Sequence, residues 1–239
     1  MVQRLQNKKV ESKKIGLIPY KDALALQNKF FNQIVQIKLA NQKLPNDQQA
    51  ITPNYLLFCE HPHTYTLGRS GSLAHLLVDK NTLAAKKITF HTTNRGGDIT
   101  YHGPGQMVVY PILDLENFFT DIHQYLRMLE EAVINTLYEL GLVGGRIQGL
   151  TGIWIDHKNP DKAKKISAFG IKLSRWVTMH GLALNVQPDL TYFRDIIPCG
   201  IHNKQVTSIF EEIGKKYTFQ EILLLIQQSL FRLFKMEKG

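Results

Sequence analysis

With 239 residues, 44% of them hydrophobic and 21% charged, the chain is long enough to bury one sizeable core and too apolar to be globally disordered. A formal charge of +9 directs expectation toward acidic partners, whether nucleic acid, a membrane surface or an acidic protein. Its two cysteines, Cys59 and Cys199, lie far apart; this excludes a disulfide framework and suits a reducing cytoplasm.

The first fourteen residues hold Arg4, Lys8, Lys9, Lys13 and Lys14 without an apolar run for a signal peptide, and with too little serine for a transit peptide. Residues 1–20 are therefore expected to be a basic arm ahead of one domain over 21–239. Ala23, Leu26, Phe30, Ile34 and Ile37 share one helical face, which predicts a helix over 21–40 before a polar break at 41–53. Residues 55–59 and 64–67 read as strands, 72–86 as a short helix and 88–91 as extended chain. A glycine-rich segment over 95–106 is expected to be a shaped loop, followed by a strand from Met107.

Asp121 opens a second helix, whose stripe runs through Tyr125, Leu129, Val133 and Leu137 until Gly141 stops it. Strands are predicted over 152–156 and 166–173, joined by a polar hairpin loop containing Asn159-Pro160-Asp161, and another over 182–186. Thr218 and Glu221 form a capping box ahead of a last helix faced by Ile222, Ile226, Leu230 and Leu233. No apolar run approaches the roughly 20 residues that span a bilayer, and no linker or repeat divides the chain. The expectation is a soluble, cytoplasmic, single-domain α/β (α+β) protein with a mixed β-sheet flanked by helices.

Chemistry concentrates in a few places. Cys199 sits between Pro198 and Gly200, so it lies on a turn that can present a thiol, or else it is a small buried hydrophobe. Cys59, among Leu56, Leu57 and Phe58, reads as core. A nucleophilic cysteine needs a neighbouring cation or helix amino terminus to lower its pKa. Lys165 stands out among the lysines because it opens a strand with the small residues Ser167, Ala168 and Gly170, which leave room for a ligand. Cys59, His61 and His63 are metal-ligand types, but they lack a second ligand pair, and no metal is expected. His102 could donate a hydrogen bond or shuttle a proton, and a pairing of Cys199 with His102 would suit a thiol hydrolase. His180 reads as structural. The glycine-rich segment matches neither a phosphate loop nor a dinucleotide fingerprint, so the energy for any transfer would arrive in the substrate, as in an acyl thioester.

Three groups of residues carry a family resemblance. The first is His61-Pro62, Tyr65-Thr66 and Gly68-Arg69, followed by Arg95-Gly96-Gly97-Asp98-Ile99-Thr100-Tyr101-His102-Gly103-Pro104-Gly105-Gln106. The second is Tyr110-Pro111-Ile112-Leu113-Asp114-Leu115, then Lys165-Ile166, Ala168 and Gly170-Ile171. The third is His180-Gly181-Leu182-Ala183-Leu184-Asn185, Pro198-Cys199-Gly200-Ile201 and Thr207-Ser208. In this order they closely resemble the lipoyl(octanoyl)transferases. His63-Thr64 depart from the proline-plus-apolar pair often found in that family.

The resemblance implies a biotin/lipoate protein ligase-like domain and an acyltransferase acting in protein lipoylation. It implies Cys199 and Lys165 as catalytic residues, with an octanoyl or lipoyl group passing through a Cys199 thioester to a lysine. It implies substrate binding by Arg95, Gly96, Gly97, Asp98, Ile99, Thr100, Tyr101 and His102, and by Ala168, Phe169, Gly170, Gly181, Leu182 and Ala183. It implies no cofactor, the octanoyl group arriving on the phosphopantetheine of acyl-carrier protein. The acceptors would be lipoyl domains of 2-oxoacid dehydrogenases and the glycine cleavage H protein, with no nucleic-acid or membrane partner. An ATP-dependent lipoate or biotin protein ligase on the same fold is the alternative reading. A basic nucleic-acid-binding domain is a third, opposed by the lack of clustered basic residues interleaved with aromatics outside the arm.

Overall fold

The structure, a computed structural model, describes residues 6–159, 161–197 and 205–239; Arg4, Pro160 and the expected nucleophile Cys199 lie outside them. Within the stretch expected to be a basic arm, Lys9–Leu17 form a strand, β1, with Val10 fully buried. β1 pairs in parallel with β2 (Tyr55–Glu60), and helix α1 (Tyr20–Asn41) makes the crossover that a parallel pair requires. Its lysines at 13 and 14 hid it from a reading based on apolar runs.

β3 (Thr64–Leu67), β4 (Thr89–Thr92) and β5 (Ile99–His102) form a separate small sheet, with β3 in the middle. The helix predicted over 72–86 is two pieces, a 3-10 turn at Leu73–His75 and α2 (Lys80–Ala85). They are separated because Leu76 bridges to Ile196 and the Leu77 N–H donates to Asp195 O at 2.9 Å, so cross-chain bonds replace helical ones.

β6 (Gln106–Ile112) is buried throughout, as a central strand covered on both faces must be. α3 (Ile122–Glu139) begins at Asp121, whose carboxylate accepts from the backbone of His123 and Gln124. β7 (Gly144–Ile147), β8 (Leu150–Ile155), β9 (Lys164–Ser174) and β10 (Val177–Asn185) form an antiparallel run. β11 (Gln205–Val206), α4 (Ile209–Ile213), α5 (Phe219–Phe234) and β12 (Glu237–Lys238) complete the chain, and α5 starts with the predicted Thr218–Glu221 capping box. Sequence periodicity did not announce β7, β11, α4 or β12. Among the described residues the main sheet runs β12-β1-β2-β6-β10-β9-β8-β7, with β11 added against β9.

Alternation along the central strands divides the core. Leu56, Phe58, Met107, Val109 and Leu184 point toward α3 and α5. Tyr55, Leu57, Cys59, Val108, Tyr110 and Ala183 belong to the opposite face, which α1 covers with Ala23, Phe31, Ile34 and Val35. The site described next lies on the α1 face. Among the described residues no helix is long and apolar enough to cross a membrane.

Candidate active site

The segment expected to be one glycine-rich loop is a loop (95–98), strand β5, and a tight turn at 103–105 entering β6. Arg95 holds the loop in place. Its guanidinium donates to Thr66 O at 2.6 Å, Asp98 O at 2.7 Å and Gly96 O at 3.0 Å, and reaches Thr66 Oγ1 at 2.9 Å, while only 7% exposed. A planar fork of five donors can serve several carbonyls at once, so Arg95 acts here as a staple between β3 and the loop. Gly170 lets this staple approach the sheet: a β-carbon there would stand 2.9 Å from Arg95 Cδ and 3.0 Å from Gly96 O.

Arg95, Gly97, Asp98, Ile99, Thr100 and His102 line one wall of a cavity between this segment and the main sheet. Gly96 and Tyr101 are not on that wall. The Gly96 N–H donates to Ile171 O at 2.9 Å, tying the loop to β9. The Tyr101 side chain runs the other way, stacks on Tyr192 with ring centroids 5.1 Å apart, and bonds His63 Nδ1 through its hydroxyl at 2.8 Å. Strand alternation is the reason: in β5, Thr100 and Tyr101 cannot face the same side. Gly103 accommodates that ring, since a β-carbon there would collide with the Tyr101 hydroxyl at 1.8 Å.

The opposite wall is the sheet itself. Ala168, Phe169 and Gly170 of β9 and Gly181, Leu182 and Ala183 of β10 all reach the cavity. Val108, Ala183 and Ala168 make one rung across three strands, Ala183 being paired with both of the others. Small side chains on that rung leave a slot with apolar sides. Tyr20, at the start of α1, and Tyr110 also line the cavity, as does His180. Of these, Tyr110 could have been found from the period-two pattern of Gln106, Val108 and Tyr110 on one face of β6; nothing local marked Tyr20.

Lys165 is 8% exposed and lines the same cavity, its Nζ 4.7 Å from the centre of the Trp154 ring, a geometry in which the ring face attracts a cation. β11 pairs in parallel with β9, placing Val206 beside Lys165. Phe193 and Val206, on either side of residues 198–204, both line the cavity. Neither was anticipated from sequence.

The histidines fall into place through their partners. Gln106 Nε2 donates to Tyr101 O at 3.2 Å and to Asn185 Oδ1 at 2.9 Å, so its Oε1 accepts from His102 Nδ1–H at 2.7 Å. This fixes the tautomer of His102, whose Nε2 faces Thr66 Oγ1 at 3.4 Å. Burial, reinforced by His61, pushes the His102 pKa down to about 3. A neutral imidazole with both nitrogens engaged does not suit the proton-shuttling role open to it from sequence. His61 bonds Ile18 O at 2.8 Å and the Tyr110 hydroxyl at 2.7 Å, and burial lowers its pKa to about 4. Burial raises the Cys59 thiol well above its usual range, as expected of a core cysteine. Among the described residues no group of three His, Cys, Asp or Glu side chains could hold a metal ion.

The family model for the lipoyl protein ligase A/B catalytic domain matches residues 19–231. The octanoyltransferase of Cytophaga hutchinsonii is 54% identical over 230 residues, covering 96% of this chain and 94% of that protein. The octanoyltransferase of Flavobacterium johnsoniae is 53% identical over 232 residues, covering 97% and 99%. Among solved structures, a bi-partite lipoate protein ligase from Thermoplasma acidophilum, described with its E2 lipoyl domain, aligns with a TM-score of 0.65. That alignment covers 98% of this chain and 86% of that one at 16% identity, and so speaks to fold alone.

Proposed function

The chain belongs to the lipoyl protein ligase A/B catalytic domain family, and we propose that it works through a thioester on Cys199 with Lys165 as its proton carrier. It is an acyltransferase whose activity is octanoyl transfer in protein lipoylation, and we take the proteins it modifies to be ones that carry lipoyl domains. In the first half-reaction the Cys199 thiolate attacks the carbonyl carbon of an octanoyl thioester on acyl-carrier protein. A new C–S bond forms, the pantetheine C–S bond breaks, and the leaving thiolate takes the proton that Cys199 gave up. Exchange of one thioester for another needs no separate energy source. In the second half-reaction the uncharged amine of a lipoyl-domain lysine attacks the same carbonyl; the C–N bond forms, the bond to Cys199 breaks, and the amine proton returns to the sulfur. We assign the carrying of these protons to Lys165, and the seating of the alkyl chain to the rung of Val108, Ala183 and Ala168. Each methylene buried there contributes about 0.8 kcal/mol. No cofactor enters this scheme, which we place in the cytoplasm.

The observation that carries this reading is that Lys165, Phe193 and Val206 line one apolar slot, the last two flanking the segment that contains Cys199. Intact-mass measurement tests it. Wild-type protein mixed with octanoyl-acyl-carrier protein is expected to gain one octanoyl group, Cys199→Ala to gain none, and Lys165→Ala to gain it slowly while remaining folded. An unmodified wild type, or acylation that survives Cys199→Ala, would overturn the assignment.

A further inference from the structure

We propose that Asn185, acting with Gln106, is a positioning residue that fastens the Lys165 edge of the sheet to the arginine-stapled wall. The two residues are directly opposed across β6 and β10 and are 4% and 2% exposed. Asn185 Oδ1 accepts from Gln106 Nε2 at 2.9 Å, and Asn185 Nδ2 donates to Thr207 O at 2.9 Å. Thr207 in turn donates its backbone N–H to Lys165 O at 2.9 Å. On the other side, Gln106 Oε1 holds His102, which contacts Thr66, the residue that Arg95 grips. One oriented line of hydrogen bonds therefore runs from the glycine-rich loop, along the lining of the cavity, to the strand that carries Lys165.

Each link has a single chemically consistent direction. Asn185 Nδ2 donates because Thr207 O can only accept, so Asn185 Oδ1 must be the acceptor for Gln106. Asn185 thus fixes where β11 lies relative to Gln106, and β11 is the first described element after the segment containing Cys199. Loss of the Thr207 link would cut the tie between this segment and Gln106, leaving β11 its pairing with β9 and the Thr207 contact with Glu212, and the setting of the Lys165 edge against the stapled wall would vary. A group misplaced by even a small distance slows a reaction far more than it weakens substrate binding.

The proposal rests on the Cys199 and Lys165 reading, and its test keeps the two separable. Asn185→Asp preserves shape and still accepts from Gln106, but as a carboxylate it sets an oxygen against Thr207 O. Protonation restores a donor to that carbonyl. The rate of octanoyl gain on the protein from octanoyl-acyl-carrier protein is measured by intact mass across pH, beside wild type, Cys199→Ala and circular dichroism. At pH 8 Asn185→Asp is expected to be slowed about tenfold or more, with the acyl-carrier protein concentration at half-maximal rate nearly unchanged. The ratio of variant to wild-type rate is expected to rise toward one as pH falls. If Asn185→Asp does not fold, Gln106→Glu carries the test, since it keeps the acceptor for His102 and loses the donor to Asn185. For Gln106→Glu the same rise with acidity is expected, because protonation regains that donor. A ratio near one at every pH, or a reduced ratio indifferent to pH, overturns the positioning role. Failure of the wild type to acylate on Cys199 overturns the functional reading instead.

Discussion

Arg95 illustrates how much one side chain can organise. Its contacts with Thr66, Gly96 and Asp98 involve three backbone carbonyls and a hydroxyl, all served from a single planar cation. Lysine would preserve the charge but not the fork, leaving buried carbonyls without donors. Arg95→Lys is therefore expected to cost about 2–4 kcal/mol, measured by urea unfolding, and to loosen residues 96–98 in hydrogen exchange. A loss below about 0.5 kcal/mol would show that the loop holds itself. The residue type and its glycine neighbours were visible in the sequence as a shaped segment. That Arg95 spends its donors on the protein itself was not visible, because its partner Thr66 lies 29 positions away.

Elements with strong periodicity were legible and those defined by pairing were not. α1, α3 and α5 carry continuous apolar stripes, and two of them carry side-chain caps at Asp121 and Thr218, so local signals agreed with the fold. β1 offers lysines and glutamate on its exposed positions, and its reason for being a strand is β2 on one side and β12 on the other. The same reason predicts the effect of removing it. Deletion of residues 1–17 would expose one edge of β2, orphan β12 and uncover the core that Val10 closes. The truncated chain is expected to aggregate or to melt at least several degrees lower in calorimetry. Unchanged melting would mean that β1 is dispensable and the expectation of an arm was closer to its behaviour.

At the scale of the whole molecule, burial has been extended to groups that would be charged in acid. His61, His102 and His180 have pKa values lowered to about 4, about 3 and about 3 from 6.5, each chiefly through desolvation. The folded values lie below the unfolded one, so the unfolded chain takes up protons first as pH falls. Stability from this source is intact above about pH 6.5 and declines from there down to about pH 4 for His61 and about pH 3 for His102 and His180. Each histidine contributes a slope near 1.4 kcal/mol per pH unit, so the three together approach about 4 kcal/mol per pH unit around pH 5. Urea unfolding at stepwise pH measures it directly, and a slope of less than one proton in that window would contradict their burial as neutral rings.

The sequence by itself determined the fold class, the main helices, the central strands and the family resemblance, because these reside in periodicity, caps and contiguous motifs. Tertiary structure alone decided which of the motif residues face the cavity, since alternation in β5 sends Thr100 inward and Tyr101 away. It also decided that His102 is a neutral link in a hydrogen-bonded line, and that Tyr20, Gln106 and Asn185 stand beside it. Those facts depend on strand register and on contacts between distant segments, and no local pattern of residues encodes either.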